Sequence, residues 1–131
     1  MIDHLTIVVS NYERSKAFYL AALAPLGFGA VMELTRELIP VLPVPATIGI
    51  GPAGKPELWL RPWDEPITPV HIALRANDRA AVDAFYRAAL EAGAKDNGPP
   101  GLRPHYHAHY WGAFVLDPDG HNIEAVCHAP P

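Results

Sequence analysis

Two apolar runs with strand-like alternation, each followed at once by a helical spacing of apolar positions, organise this chain. The first run, "LTIVV" from Leu5 to Val9, is β-branched and predicts a strand, because stiff branched side chains suit a pleated surface. "NYERSKAFYLAALAPLG" then turns helical, with Asn11 as candidate N-cap and Gly27 as the stop. The same order returns in "HIALRANDRAAVDAFYRAAL", which begins at His71. "AFYLAAL" and "AFYRAAL" agree at six of seven positions, at an offset of 67 residues. That offset carries His4 onto His71, so each copy opens with a strand bearing a histidine at the same place. The chain contains an internal repeat.

Three further strands are expected in the first copy, at "AVMELTREL", "ATIGIG" and "ELWLRP", and two in the second, near "WGAFVLD" and "NIEAVCH". Each half is roughly βαβββ. A single domain over residues 1–131 results, with one module spanning about 1–63 and the other about 67–131. "RPWDEPITP", from Arg61 to Pro69, is the connection, and "KDNGPPGLRPHYHAHY", ending at Tyr110, reads as a long loop of the kind that tends to be functional or mobile.

Residues two apart on a strand share a face, so alternation assigns directions. His4, Thr6 and Val8 oppose Leu5, Ile7 and Val9; His71, Ala73 and Arg75 oppose Ile72, Leu74 and Ala76; Asn122 and Glu124 oppose Ile123, Ala125 and Cys127. With the apolar faces on the helices, both histidines and Glu124 fall on the opposite, concave face. A carboxylate in the middle of an apolar strand needs a cation, a metal ion or a proton donor. Pseudo-symmetry would bring His4 and His71 together, and two imidazoles with Glu124 make a divalent metal site with open positions.

Composition removes several function classes. The chain has 131 residues, half of them hydrophobic, a formal charge of -4 and a sequence pI near 5.9, so it has no basic field for a nucleic acid. One cysteine, Cys127, excludes an internal disulfide and a cysteine-based zinc cluster, and fits a reducing compartment. No apolar run is long enough for a bilayer, and "MIDHLTIVV" lacks the parts of a secretion signal, so a cytoplasmic protein is expected.

"DHLTIVVSNYERSKAFY", "HIAL" and "FVLDPDGHNIE" together make the chain resemble the vicinal oxygen chelate superfamily, which includes glyoxalase I, extradiol dioxygenases, fosfomycin-resistance thiol transferases and bleomycin-binding proteins. The resemblance covers essentially the whole chain. It implies an α+β fold of two βαβββ modules forming one eight-stranded, curved, incompletely closed barrel-like sheet, and it puts metal ligands at His4, His71 and Glu124. The ion would be Mn, Fe, Ni or Zn, binding a small oxygen-bearing substrate by chelation for lyase or isomerase, thiol transferase or dioxygenase chemistry. The resemblance further implies a homodimer, with His4 of one chain completing the site of the other. Some members keep the fold and bind ligands without metal, so a metal-free sequestering protein is the alternative.

Departures from glyoxalase I bear on the chemistry. There the fourth strand supplies a glutamate that is both ligand and proton-transferring base, and Glu57 is the only candidate for that role here. Glu57, Trp59 and Arg61 share a face of that strand, with Trp59 expected as cavity wall and Arg61 as anion anchor. "HYHAHY" carries His105, His107 and His109, but a flexible loop does not preorganise ligands, so it is read as a cover over the cleft with His105 and Tyr106 as candidate substrate contacts. Cys127 falls on the helix-facing side, where a buried thiol is a small apolar filler.

Overall fold

The computed structural model describes Met1–Pro131. Module 1 runs β1 (Leu5–Val9), α1 (Tyr12–Leu23), a 3-10 turn (Ala24–Leu26), β2 (Gly29–Thr35), β3 (Ala46–Gly51) and β4 (Leu58–Pro62). Module 2 runs β5 (His71–Arg75), α2 (Arg79–Glu91), β6 (Lys95–Asp96), β7 (Gly101–Leu102), β8 (Trp111–Leu116) and β9 (Asn122–Cys127). The repeat reaches down to the caps. Asn11 accepts a hydrogen bond from the Arg14 amide and Asp78 one from the Ala81 amide, each satisfying a helix donor that would otherwise be orphaned. Gly27 ends the first helical stretch with φ of 82°, a backbone state that costs glycine nothing.

The strands form two mixed sheets rather than the expected single eight-stranded barrel-like one. One has the order β1-β4-β3-β2, the other β5-β9-β8-β6 with β7 also on β8, and neither closes. The reason lies in how the modules meet. β1 pairs in parallel with β4 and β5 in parallel with β9, leaving the outer edges of β1 and β5 without a strand partner. Contact between modules runs through α1 and α2, and one continuous core holds Ile7, Phe18 and Leu60 together with Val82, Phe85 and Ile123. Each sheet thus spends its apolar face on the helices, and its other face carries no helix; in module 2 the loop ending at Tyr110 covers part of it.

The stretch expected as one long loop contains β6 and β7, two short pieces that both pair with β8. They are one strand interrupted. The ladder runs on through Asn97 and Gly98, which hydrogen-bond to Phe114, and breaks at Pro99 and Pro100, since proline offers no amide to it. Module 2 remains βαβββ in outline.

The turn "DPDGH" between β8 and β9 does more than reverse the chain; it ties module 2 to module 1. Asp117 accepts from its own turn's Asp119 and His121 amides at 2.9 and 2.8 Å and from the Tyr19 hydroxyl of α1 at 2.5 Å. Asp119 takes the Ser10 amide at 3.0 Å and the Ser10 hydroxyl. Buried His121 accepts from the Val70 amide at 3.1 Å and donates through Nε2 to the Val8 carbonyl at 2.8 Å, which fixes its tautomer and bridges β1 to the connection. No helix is long and apolar enough to cross a membrane.

Candidate functional site

Glu124 sits in β9 with the core residues Ile123 and Ala125 on either side, pointing away from them, and is only 2% exposed. A buried carboxylate must be compensated, and two groups do it. His71 Nε2 lies 3.0 Å from Oε2, while the Tyr110 hydroxyl donates to Oε1. His71 comes from the neighbouring strand, where the register sets Ala73 opposite Glu124 and His71 opposite Asn122. Tyr110 reaches in from the end of the loop that precedes β8. Burial first, then its bond to Glu124, pushes the Tyr110 pKa up, so the phenol stays a proton donor.

Gly112 makes the room for this. It lies on the strand beside Glu124, and a Cβ there would meet Tyr110 Cε1 at 3.1 Å and Glu124 Oε1 at 3.4 Å. The Tyr110 ring is packed in turn by Tyr106, His107 and His128, with ring centroids 4.8, 5.4 and 5.3 Å away. The His109 amide donates to His107 Nδ1, leaving His107 Nε2 to donate to His128 Nδ1 at 2.8 Å and so pin the loop to the C-terminal segment. His71, Glu124, Tyr110, Tyr106, His105 and Phe114 line an open cleft of about 550 Å³. His105 and Tyr106 are exposed at its rim. His109 is not among the lining residues.

Module 1 presents a second cleft, of about 290 Å³, on its own uncovered face, where His4, Thr6, Trp59 and Arg61 meet. His4 is exposed and its Nδ1 contacts Asp3 Oδ1 at 2.7 Å; that hydrogen bond holds the Asp3 carboxyl below the ordinary carboxylate range. Arg61 lies over the Trp63 ring at 4.6 Å. Trp59 crosses Gly49, where a Cβ would come within 2.9 Å of the indole. In both modules a glycine makes room for an aromatic ring, Gly49 for Trp59 on the neighbouring strand and Gly112 for Tyr110 just before its own strand.

Register shows what the repeat does with the carboxylate. Thr6 pairs with Trp59, and Ala73, its counterpart 67 residues on, pairs with Glu124. Trp59 thus occupies in module 1 the place that Glu124 holds in module 2. Glu57 precedes β4, at 3.7 Å from Lys55, in a smaller cleft that also includes His4. Within one chain His71 and Glu124 meet, while His4 stays with module 1, just before β1.

No group of three histidine, cysteine, aspartate or glutamate side chains converges in a single chain in a way that could hold a metal ion. The pair that does converge fits part of a ligand set. Neighbouring donors bound at about 2.1 Å and at right angles stand about 3 Å apart, which is the His71–Glu124 separation. No third such side chain joins the pair within the chain.

Sequence reasoning missed Tyr110 as the partner of Glu124, and with it Gly112 and the His107–His128 contact. A signal was available in the hairpin. Closing "WGAFVLDPDGHNIEAVC" on its turn pairs Leu116 with Asn122 and Phe114 with Glu124, which sets Gly112 as a gap on the same face next to the carboxylate.

Two βαβββ units with a histidine at the start of each, His4 just before β1 and His71 opening β5, and with polar and aromatic side chains on the helix-free faces of both sheets, define a duplicated-module α+β protein. Residues 1–125 match the glyoxalase/bleomycin resistance protein/dioxygenase superfamily, and the chain belongs to it. Among solved structures it is similar to a glyoxalase/bleomycin resistance protein from Albidiferax ferrireducens T118, with 26% identity, 97% of this chain and 98% of that one covered, and a TM-score of 0.74. A glyoxalase/bleomycin resistance protein/dioxygenase family enzyme from Burkholderia phytofirmans PsJN shares the fold at 18% identity, with 98% of each chain covered and a TM-score of 0.69. So does a glyoxalase I mutant from Zea mays at 23% identity, with 95% of this chain and 46% of that one covered and a TM-score of 0.69. A comparison with proteins of curated function finds no match.

Proposed function

We propose that this protein is a metal-dependent enzyme of its superfamily that works as a homodimer, with His71 and Glu124 of one chain and His4 of the other holding a divalent ion. The observation that carries the reading is the convergence of His71 Nε2 and Glu124 Oε2 at 3.0 Å on a helix-free sheet face, with the carboxylate buried. Three features of the single chain support sharing between chains. His4 lies in module 1 at the entry to β1, β1 and β5 have free outer edges, and Ile2, Leu5, Met32 and Val70 are exposed apolar side chains. A second copy related by two-fold symmetry would satisfy all three at once.

An ion of the Mn, Fe, Ni or Zn kind supplies a Lewis acid for vicinal oxygens of a small substrate. The chain's own residues do the rest. Trp59 and Phe114 offer apolar walls, Arg61 an anchor for an anionic group, and His105 with Tyr106 a rim that contacts the substrate. Because Trp59 occupies the slot corresponding to Glu124, Glu57 is poorly placed as the base of a glyoxalase I-type isomerisation. The three-ligand kind of chemistry, in which substrate oxygens are gripped and polarised, is the better match.

A second reading, metal-free sequestering of an aromatic or amphipathic molecule, is favoured by one observation: Tyr110 and His71 already satisfy both oxygens of Glu124. Metal analysis of protein prepared without a histidine tag separates the two. Near-stoichiometric Mn, Fe, Ni or Zn, lost in Glu124→Gln while the fold is kept, supports the enzyme. Absence of metal even after reconstitution refutes it and leaves the binder.

A further inference from the structure

The two oxygens of Glu124 are not equivalent. Oε1 is taken by the Tyr110 hydroxyl, and Oε2 faces His71 Nε2 at 3.0 Å. With the carboxylate 2% exposed, water does not compete for either. The phenol is held from several sides: Gly112 admits its ring, Tyr106 and His128 flank it, and the His107–His128 hydrogen bond fastens the loop that carries it. A carboxylate pivots about its last side-chain torsion, which is broad and two-fold, so nothing in Glu124 itself chooses which oxygen is presented. The choice is made from outside, by the Tyr110 hydroxyl on Oε1.

We infer that Tyr110 is a positioning residue for Glu124: its hydroxyl engages Oε1 and leaves Oε2, beside His71, as the one oxygen offered to a divalent cation. The inference rests on the metal-site reading above and deepens it. Partners that orient a metal ligand set its affinity, and their removal typically weakens binding roughly 10–100-fold. Without the hydroxyl, Oε1 would be a buried acceptor without a donor, free to turn toward the ion, so coordination by one oxygen would give way to coordination by both.

The test is a titration of the full-length, metal-free dimer with Mn²⁺, comparing wild type, Tyr110→Phe, Gly112→Ala and Glu124→Gln. Tyr110→Phe keeps the ring and removes only the donor. Gly112→Ala keeps the hydroxyl but pushes the ring aside, and it serves as the deciding variant if the first fails to fold. Both are expected to bind Mn²⁺ roughly 10–100-fold more weakly than wild type, with the metal-free protein still folded but melting several degrees lower, because the buried carboxylate has lost or loosened a donor. Infrared difference spectra of metal-loaded against metal-free protein add a readout that a general packing defect would not move. The wide splitting of the carboxylate stretches expected for one-oxygen binding in wild type should narrow in Tyr110→Phe, and the bands should vanish in Glu124→Gln. If wild type binds, Glu124→Gln does not, and Tyr110→Phe matches wild type in affinity and spectrum, the positioning role is overturned while the metal site stands. If wild type does not bind Mn²⁺, or Glu124→Gln binds as well as wild type, the metal-site reading falls and takes this inference with it.

Discussion

Tyr19 and Asp117, 98 positions apart in the chain, are joined by a 2.5 Å hydrogen bond that fastens α1 of the first module to the closing turn of the second. Both side chains are buried. Burial first, and then the charge of Asp117, pushes the Tyr19 pKa well above its ordinary value, so the phenol remains a donor and Asp117 the acceptor. Tyr19→Phe should cost about 1–3 kcal/mol, the range for a hydrogen bond to a charged group, because the aspartate loses one partner and keeps its two turn amides. Urea unfolding measures it. An unchanged midpoint would mean that the turn, and not the tyrosine, carries the attachment.

Stability at alkaline pH follows from the same residue. Tyr12, Tyr19 and Tyr110 all have pKa values raised chiefly by burial, with Glu33, Asp117 and Glu124 respectively adding to the effect. Folded protein therefore keeps phenol protons that the unfolded chain begins to lose near pH 10. With more protons bound in the native state, stability falls as pH rises; the contribution is complete below about pH 10 and drains away toward the folded values. Lysines titrate in the same window, so the diagnostic is a difference. Between about pH 9 and 11 the urea midpoint of Tyr19→Phe should decline less steeply than that of wild type, and parallel slopes would count against Tyr19 as a contributor.

How much of this was legible in the sequence depended on whether a signal was local. The two βα openings and the Asn11 cap follow from short-range pattern, and the 67-residue repeat counts the opening twice. Alternation placed Cys127 on the core side, where it is 1% exposed, and Glu124 on the other. A single barrel-like sheet is not formed within one chain, because strand alternation says which face is apolar but not which edges meet; here the helices join the modules and both first strands keep a free edge. Polar ties between modules were invisible for a related reason. Asp117, Asp119 and His121 read as turn chemistry, which they are, while their partners Tyr19, Ser10 and Val8 lie about a hundred residues away. Tyr110 was hidden inside a loop read as a cover.

Assembly is where the proposed site is most exposed to refutation. One chain brings His71 to Glu124 and leaves His4 with module 1, before β1, so a complete three-donor site requires either a second chain or a large rearrangement of the core that α1 and α2 share. Homodimers of His4→Ala should lack a complete site, and so should homodimers of Glu124→Ala, whichever arrangement holds. Mixed dimers differ. With sites shared between chains, a dimer of one His4→Ala and one Glu124→Ala chain has one doubly damaged site and one intact site. Half of the randomly assorted dimers are mixed, so coexpression restores about a quarter of all sites. With sites inside single chains, each chain carries its own defect and mixing restores nothing. Tight divalent-metal binding, measured on coexpressed protein whose mixed dimers have been verified by mass, decides between them. Recovery near a quarter supports the shared site, and none in verified mixed dimers eliminates it.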